Sequence, residues 1–240
     1  MLPAIRSFYE ATKVGQTAAN PAGEAETPIT HVKVFHKQYP RFPHIALPED
    51  EETGELTELM ARRATERDFS STPLSLDDLA RALRACRIVD NEREPERRTY
   101  PSAGARFPVE IYPIVFNVDN LVPGCYHYDI AADALEVLWE KDLSHEAIEI
   151  VSPYVSRPAV ALVFTAVIAR AEVKYGPRAY PFSLLEAGHM AQNISLMCTK
   201  HDIGACPVGG FVNDVLTKII DLTEHEIPIY VYALGSPLAP

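Results

Sequence analysis

The strongest constraint on the fold is the run AVALVFTAVIA at positions 159–169. Nearly every position in it is apolar, and the β-branched residues that favour strands recur along it. Side chains of a strand point alternately to two faces, so a strand that is apolar throughout must lie inside a sheet that is covered on both sides. The sequence therefore predicts a central, buried strand at this position.

Other segments show helical or strand-like patterns in an order that indicates an α+β fold. Ser75, with Asp78 three residues later, is typical of a helix cap and predicts a helix that begins at Leu76. The predicted helices are one that starts near residue 54 and those at 76–85, 144–150, 183–200 and 212–220. The remaining predicted strands are 109–118, 125–129, 135–139 and 229–234, and the middle two form a hairpin.

Residues 1–53 are predicted to form an extended N-terminal arm, and residues 54–240 a single domain. Positions 15–48 are rich in Pro, Gly, Ala and Thr and lack an amphipathic period. The aromatic residues and prolines of 39–47 would have no role in a free tail. We therefore expect this part to lie across a surface, either of the same chain or of a partner subunit. A flexible leader is the alternative interpretation.

Composition limits the possible partners. The formal net charge of -11 disfavours binding to nucleic acid or to anionic membranes, and leaves small molecules and proteins. No apolar run has the length of a signal peptide or of a membrane span, which predicts a cytoplasmic protein. The four cysteines are scattered, without C-x-x-C spacing. We therefore expect no metal site, and we expect the cysteines to be free, buried thiols.

The segment YPSAGARFPVEIY at 100–112 joins a turn of small residues to a strand. We call residues 101–104 the PSAG turn. Such a turn exposes backbone N–H and C=O groups with little side chain in the way, which suits a flat ring with polar edges. An ordinary loop is the alternative interpretation.

A second candidate site lies at Arg63, Thr65 and Arg67. Two guanidinium groups and a hydroxyl within five residues fit a phosphate, because arginine stays charged and binds oxygen pairs with both arms of its fork. The alternative is a solvated face held by salt bridges.

Lys174 and Tyr175 are candidate proton-transfer groups in a predicted loop, 170–181, after the buried strand. Lysine can act as a base if burial and neighbouring cations, here Arg170 and Arg178, lower its pKa. Surface decoration is the alternative interpretation.

The predicted long helix has an unusually small and polar centre, EAGHMAQN. Because a glycine inside a helix costs about 1 kcal/mol relative to alanine, Gly188 indicates close approach of a ring, a backbone or a partner helix. Gln192 and Asn193 are interpreted as buried amides, which serve either a cofactor or helix packing.

Further along, 204–211 is predicted to be a glycine-bearing loop in which the Gly209 or Gly210 N–H faces a ring nitrogen. It matches neither the Walker nor the Rossmann pattern.

These motifs, taken in order, resemble the FMN-dependent nitroreductase superfamily, and within it the SagB-type branch of thiazole/oxazole-forming peptide dehydrogenases. RATERDF is similar to that family's R-x-S-x-R/K-x-F phosphate motif, and RRTYPSAG to its R-R-x-Y-P-S-A-G flavin turn. The other matching segments are KYGPR, LEAGHMAQN and PVGGF. Each motif is modest alone, but five in register are specific.

The resemblance implies a three-layer α+β sandwich, with a mixed, mainly antiparallel sheet flanked by helices. It also implies a homodimer with one FMN per active site at the subunit interface. The implied FMN-binding residues are Arg63, Thr65, Arg67, Pro101, Ser102, Ala103, Gly104, Gln192, Asn193, Gly209 and Gly210. The first three would hold the phosphate, the PSAG turn would line the isoalloxazine ring, and Gly209 would lie near flavin N5. The implied catalytic pair is Lys174 and Tyr175.

The activity implied is oxidation of thiazoline or oxazoline rings to azoles in a peptide natural product, with a cyclodehydratase partner or a carrier-bound substrate left open. An NAD(P)H-dependent nitro- or quinone reductase is the alternative on the same fold. A flavin-free scaffold subunit of a biosynthetic complex is the alternative of another class. Arg106, where relatives commonly have leucine, departs from the family pattern and is expected to affect substrate choice.

Overall fold

The structure is a computed structural model that describes residues 1–13, 37–49 and 53–238. Its centre is a six-stranded sheet with the order β5-β4-β3-β6-β8-β7. The strands of this sheet are β3 (Val109–Val115), β4 (Gly124–Asp129), β5 (Ala134–Glu140), β6 (Val160–Val167), β7 (Gly204–Val208) and β8 (Glu226–Gly235). A separate two-stranded ribbon contains β1 (Ile88–Asp90) and β2 (Arg97–Arg98). All neighbouring strands of the sheet pair antiparallel.

Strand β6 is the inner strand that the apolar run predicts. It pairs with β3 on one side and β8 on the other, and seven of its eight residues are buried. Leu162 and Phe164 point into one core, and Ala161 and Val163 into the other. Burial of both faces confirms the predicted central strand.

Helices cover both faces of the sheet, which gives three layers. They are α1 (Pro3–Thr12), α2 (Glu55–Arg62), α3 (Leu76–Arg84), α4 (Ala147–Val151), α5 (Ala169–Tyr175), α6 (Ala179–Lys200) and α7 (Asn213–Ile220). Side chains of α3 and α6 share one core with β3 and β6, and side chains of α4 and α7 pack on the opposite face. The α+β sandwich is therefore confirmed.

Helix α3 begins as its sequence predicts. The Ser75 Oγ accepts a hydrogen bond from the Asp78 amide at 3.0 Å, which satisfies a backbone N–H that the first turn of a helix leaves free. Leu79 and Leu83 on its apolar stripe are buried. Local capping and periodicity were sufficient to place this helix.

Two segments that were predicted to be loops form regular structure, and the long helix begins earlier than predicted. Residues 169–175 form helix α5 where a loop was expected, because Ala, Arg, Glu and Lys all favour helix and no breaker occurs before Gly176. Helix α6 accordingly begins at Ala179 instead of residue 183. Residues 204–208 form edge strand β7 where a loop was expected; Pro207 is tolerated because the strand pairs only with β8.

The arm contains more structure than the sequence suggests. Helix α1 packs on the domain through Ile5 and Tyr9, which lie against Ala166, Ile168 and Ile227. Residues 14–36 lie outside the described part of the chain. Within 37–49 the aromatic and aliphatic side chains are exposed, so the described residues of one chain do not supply the surface on which that segment was expected to lie.

The four cysteines are buried and free, as the sequence predicts. Burial raises the pKa of the Cys125 thiol and of the Cys198 thiol to about 12. The pKa of Cys86 and that of Cys206 are raised by burial as well. Within the described residues, no helix has the length and apolar character that a membrane crossing requires.

Replacement of Gly235 by alanine is expected to destabilise the domain by roughly 1–3 kcal/mol, since an overpacked core must shift. An added Cβ would lie 2.7 Å from Cγ of the fully buried Phe69. Gly54→Ala is the matched control, because its added Cβ meets no atom within 4 Å and should change stability by less than about 0.5 kcal/mol. Urea unfolding measures both, and equal effects would contradict this account of the packing.

Candidate functional site

The sheet brings the PSAG turn and the end of β6 to the same place. Val109 at the start of β3 pairs with Ala166 near the end of β6, and the Val167 amide donates to the Pro108 carbonyl at 2.8 Å. Helix α5 follows β6 directly. The residues after β6 are therefore held beside the turn that precedes β3.

Gly104 is the point of contact. A Cβ added there would lie 2.4 Å from the Tyr175 hydroxyl oxygen and 3.0 Å from Lys174 Nζ. Gly104 also has a φ of +60°, a conformation that side-chain-bearing residues rarely adopt. Two motifs separated by about seventy residues thus meet at one position that only glycine fits.

The backbone directly after the PSAG turn is strained, and short-range hydrogen bonds hold it. Ala105 and Phe107 have positive φ values, which are costly for residues other than glycine. The Ser102 Oγ accepts from the Phe107 amide at 2.9 Å, and the Ala105 amide donates to the Ser102 carbonyl at 3.1 Å. The exposed side of the turn is left to Pro101 and Gly104.

Side chains from β2, from α5 and from the segment between β2 and the PSAG turn support Phe107, which follows the turn. The Arg98 guanidinium lies 4.0 Å from the centre of the Phe107 ring, and the Tyr100 ring meets Phe107 edge-on at 6.1 Å. Arg170 on α5 donates to the Phe107 carbonyl at 2.9 Å and pairs with Glu110. The turn is consequently fixed before any ligand arrives.

Lys174 and Tyr175 occupy the last turn of α5. The Tyr175 ring packs edge-on against Phe182 at 5.0 Å, and Lys174 Nζ lies 5.2 Å from the Tyr175 ring centre. Lys174 is exposed, so this chain does not bury it. Of the two arginines expected to influence it, Arg170 contacts Glu110 and Arg178 lies over Phe182.

The two amides of α6 point in different directions. Asn193 donates to the Thr99 carbonyl at 3.1 Å and so supports the segment that leads into the PSAG turn. Gln192 is exposed on the outer side of the helix, so its predicted burial is wrong for a single chain. One residue corresponds to 100° of helix rotation, and only Asn193 lies on the inner side. Gly188 is open as well, since an added Cβ meets no atom within 4 Å.

Arg63, Thr65 and Arg67 lie along the outer side of β7. The Glu66 amide donates to the Ala205 carbonyl at 3.0 Å, and Arg63 Nη1 is 3.4 Å from the Thr65 hydroxyl. The positive charge of Arg67 opposes the rise in pKa that burial causes at Cys206 on β7. The charge of Arg63 has the same effect on Tyr232, which pairs with Pro207 of β7. Gly209 and Gly210 follow β7 directly and are exposed.

The candidate residues therefore form two groups on one chain. One group contains the PSAG turn with Lys174 and Tyr175, beside β3 and β6. The other contains Arg63, Thr65, Arg67 and the two glycines beside β7. Strands β3 and β7 are three strand positions apart, or about 14 Å.

Glu186 is a polar residue of this region that sequence reasoning did not single out. It is 2% exposed, and burial raises the pKa of its carboxyl to about 7. Its helical spacing from Met190 and Ile194 could have identified it. The three residues share the inner face of α6, where apolar residues are expected. A carboxyl at such a position is costly unless it has a role.

Comparison with known proteins gives a consistent result. The model of the Nitroreductase family matches residues 59–236. A Methanocaldococcus jannaschii protein named as a nitroreductase is 30% identical over 185 residues, which are 76% of this chain and 92% of that protein. The microcin B17-processing protein McbC of Escherichia coli is 29% identical over 147 residues, 58% of this chain and 54% of McbC.

Solved structures agree on the fold. A nitroreductase of Ralstonia eutropha superimposes with a TM-score of 0.68 at 25% identity, over 82% of this chain and 89% of that one. A chain of the E. coli microcin synthetase McbBCD complex, solved with truncated pro-MccB17, gives a TM-score of 0.75 at 21% identity, over 100% of this chain and 95% of that one. The predicted nitroreductase-like architecture is confirmed, and the match to McbC agrees with the predicted SagB-type branch.

Gly104→Ala is expected to destabilise the protein by about 1 kcal/mol or more, since alanine strains the left-handed backbone and meets Tyr175. In a Tyr175→Phe background the nearest atom is removed, so the same change should cost less. A double-mutant cycle in urea should give a coupling of at least about 0.5 kcal/mol. An identical cost in both backgrounds would show that Tyr175 does not contact the turn.

Asn193→Ala is expected to cost about 1–2 kcal/mol, because it removes the donor to the Thr99 carbonyl. Gln192→Ala, one residue earlier and exposed, is the matched control and should change stability by less than about 0.5 kcal/mol. Thermal unfolding of both variants tests the assignment, which equal losses of stability would refute.

Proposed function

Because this chain belongs to the nitroreductase family, we propose that it is an FMN-dependent oxidoreductase that dehydrogenates azoline rings to azoles in a peptide. The observation that carries the proposal is the contact of Lys174 and Tyr175 with Gly104. It brings two potential proton-transfer groups to the turn proposed to hold the ring of the cofactor. Similarity to McbC, a microcin B17-processing protein, supports a peptide substrate.

The donor set and the shape of the turn fit FMN. Arg63, Arg67 and the Thr65 hydroxyl offer the charged and neutral donors that a phosphate binds. The PSAG turn offers backbone groups that carry no side chain of their own at Gly104, with Lys174 and Tyr175 directly beside them, and the exposed backbone at Gly209 and Gly210 can meet the edge of a ring. When bound, FMN supplies the acceptor for two electrons and a proton, in the form of a hydride.

Lys174 and Tyr175 are proposed to carry the proton chemistry. In the dehydrogenation one of these side chains would take the proton that leaves Cα of the azoline ring, and bound FMN would supply the acceptor for the hydride that the ring must also lose to become an aromatic azole. Molecular oxygen is the proposed final oxidant, and it would leave as hydrogen peroxide with the two electrons and two protons. Lys174 is exposed in one chain, so the substrate or a second subunit would cover it in the assembled site.

A homodimer accounts for the separation of the two groups of candidate residues. Each FMN would take its phosphate contacts from the β7 side of one subunit and its ring contacts from the PSAG turn of the other. The open outer side of α6, with Gly188 and Gln192, has room for a partner helix. Exposed apolar residues of the segment 37–49 would gain cover in the same assembly. A cyclodehydratase or a carrier protein that presents the substrate is the proposed further partner.

An NAD(P)H-dependent nitro- or quinone reductase is the second candidate. It is favoured by the similarity to the M. jannaschii protein and to an FMN reductase (NADPH) of Bacillus subtilis, which is 27% identical over 99 residues, 35% of this chain and 40% of that protein. Consumption of NADPH with a nitroaromatic acceptor, without azoline oxidation, would establish this alternative. A colourless protein that cannot be reconstituted with FMN would instead indicate a scaffold subunit.

Lys174→Ala is expected to lower kcat for oxidation of an azoline peptide by about 100-fold or more, the usual contribution of a general base. Flavin absorbance should persist, because the substitution leaves the phosphate contacts in place. Lys141→Ala is the control, since Lys141 is an exposed lysine that pairs with Glu146 in another region. Full activity of the flavin-loaded Lys174→Ala protein would overturn the assignment.

A further inference from the structure

We propose that Glu186 is a positioning residue of the FMN site, whose carboxylate holds Ser102 and through it the PSAG turn. The inference rests on the proposed function, since it concerns how this chain receives FMN. It assigns a role to a buried group that the proposed chemistry does not otherwise use.

Burial makes Glu186 unusual. The side chain is 2% exposed, and neither carboxylate oxygen has a hydrogen-bond partner in the described part of the chain. A buried carboxyl without partners is costly, and native proteins tolerate few such groups without a role for them. The carboxyl therefore stands ready for a donor.

Ser102 is the donor that the geometry favours. The Ser102 hydroxyl and the Val109 amide both face the carboxyl and lower its pKa, although neither reaches good hydrogen-bond geometry. The Ser102 Oγ already accepts from the Phe107 amide at 2.9 Å. Its O–H hydrogen is consequently free to be donated, and a small rotation of Ser102 would direct it to Glu186.

The surrounding charges determine when this hydrogen bond is strong. The positive charges of Arg98 on β2 and Arg170 on α5 favour the ionised form of the carboxyl, although these side chains pair with Glu96 and Glu110, and burial opposes ionisation. The Tyr100 hydroxyl is also close enough to interact with the carboxyl. These effects leave a group that changes its charge near pH 7. An ionised carboxylate is a stronger acceptor than a neutral carboxyl.

The consequence is a link between FMN affinity and pH. If a ring seated on the turn requires Ser102 to be held by Glu186, binding favours the ionised carboxylate and releases a proton. Affinity then rises as the pH increases from 6 to 8. Glu186→Gln keeps a carbonyl acceptor and nearly the same shape but cannot ionise, so its affinity should not show this rise.

The experiment is titration of the flavin-free protein with FMN at pH 6 and pH 8, followed by quenching of flavin fluorescence. The wild-type affinity should increase between these pH values at least threefold more than that of Glu186→Gln. The FMN phosphate titrates in the same range, but it does so for every variant, and the comparison cancels it. Ser102→Ala should also lose this additional pH dependence of the affinity, because the hydroxyl donor to Glu186 is removed. His189→Gln, which removes an exposed titratable residue of the same helix, should behave like the wild type.

The possible failures differ in appearance. Tight FMN binding with the same pH step in wild type and Glu186→Gln would overturn this inference and leave the proposed function intact. Absence of FMN binding by the wild type at both pH values would overturn both. If Glu186→Gln does not fold, Ser102→Ala decides the question, since it leaves the buried carboxyl untouched; an unchanged step in that variant refutes the inference.

Discussion

The antiparallel pairing of β3 with β6 is the constraint on which the rest of the structure depends. It places the start of one strand beside the end of the other, and thus joins the PSAG turn to α5. Because β6 is buried on both faces, a shift of register by one residue would exchange the side chains of its two cores. The core therefore fixes the register, and the register fixes the contact of Gly104 with Tyr175.

Features with a local cause could be predicted from the sequence. The Ser75 cap, the hairpin of β4 and β5 and the apolar run of β6 each follow from residues close to one another in the chain. The two segments that the sequence predicts as loops differ in this respect. Residues 169–175 have the composition of a helix, so local preference agrees with the structure there. Residues 204–208 form a strand because they pair with β8, a long-range contact that their composition does not reveal.

For the candidate site, the sequence identified residue types but not their directions. Lys174 and Tyr175 do meet the PSAG turn, yet only the folded structure shows that Lys174 is exposed and that Asn193, unlike Gln192, lies on the inner side of its helix. In the linear sequence Glu186 belongs to a polar stretch, whereas helical geometry places it among apolar neighbours. Packing against the sheet sets the direction in which each side chain points from the helix axis. A linear motif does not describe this packing.

The cysteines have a consequence for an enzyme of the proposed type, which would release hydrogen peroxide beside its own core. Peroxide attacks the thiolate form of cysteine, and it does so where solvent can reach the sulfur. All four thiols here are buried, and burial raises the pKa of each. In an enzyme of this type the four thiols would therefore be protected from the peroxide that it releases.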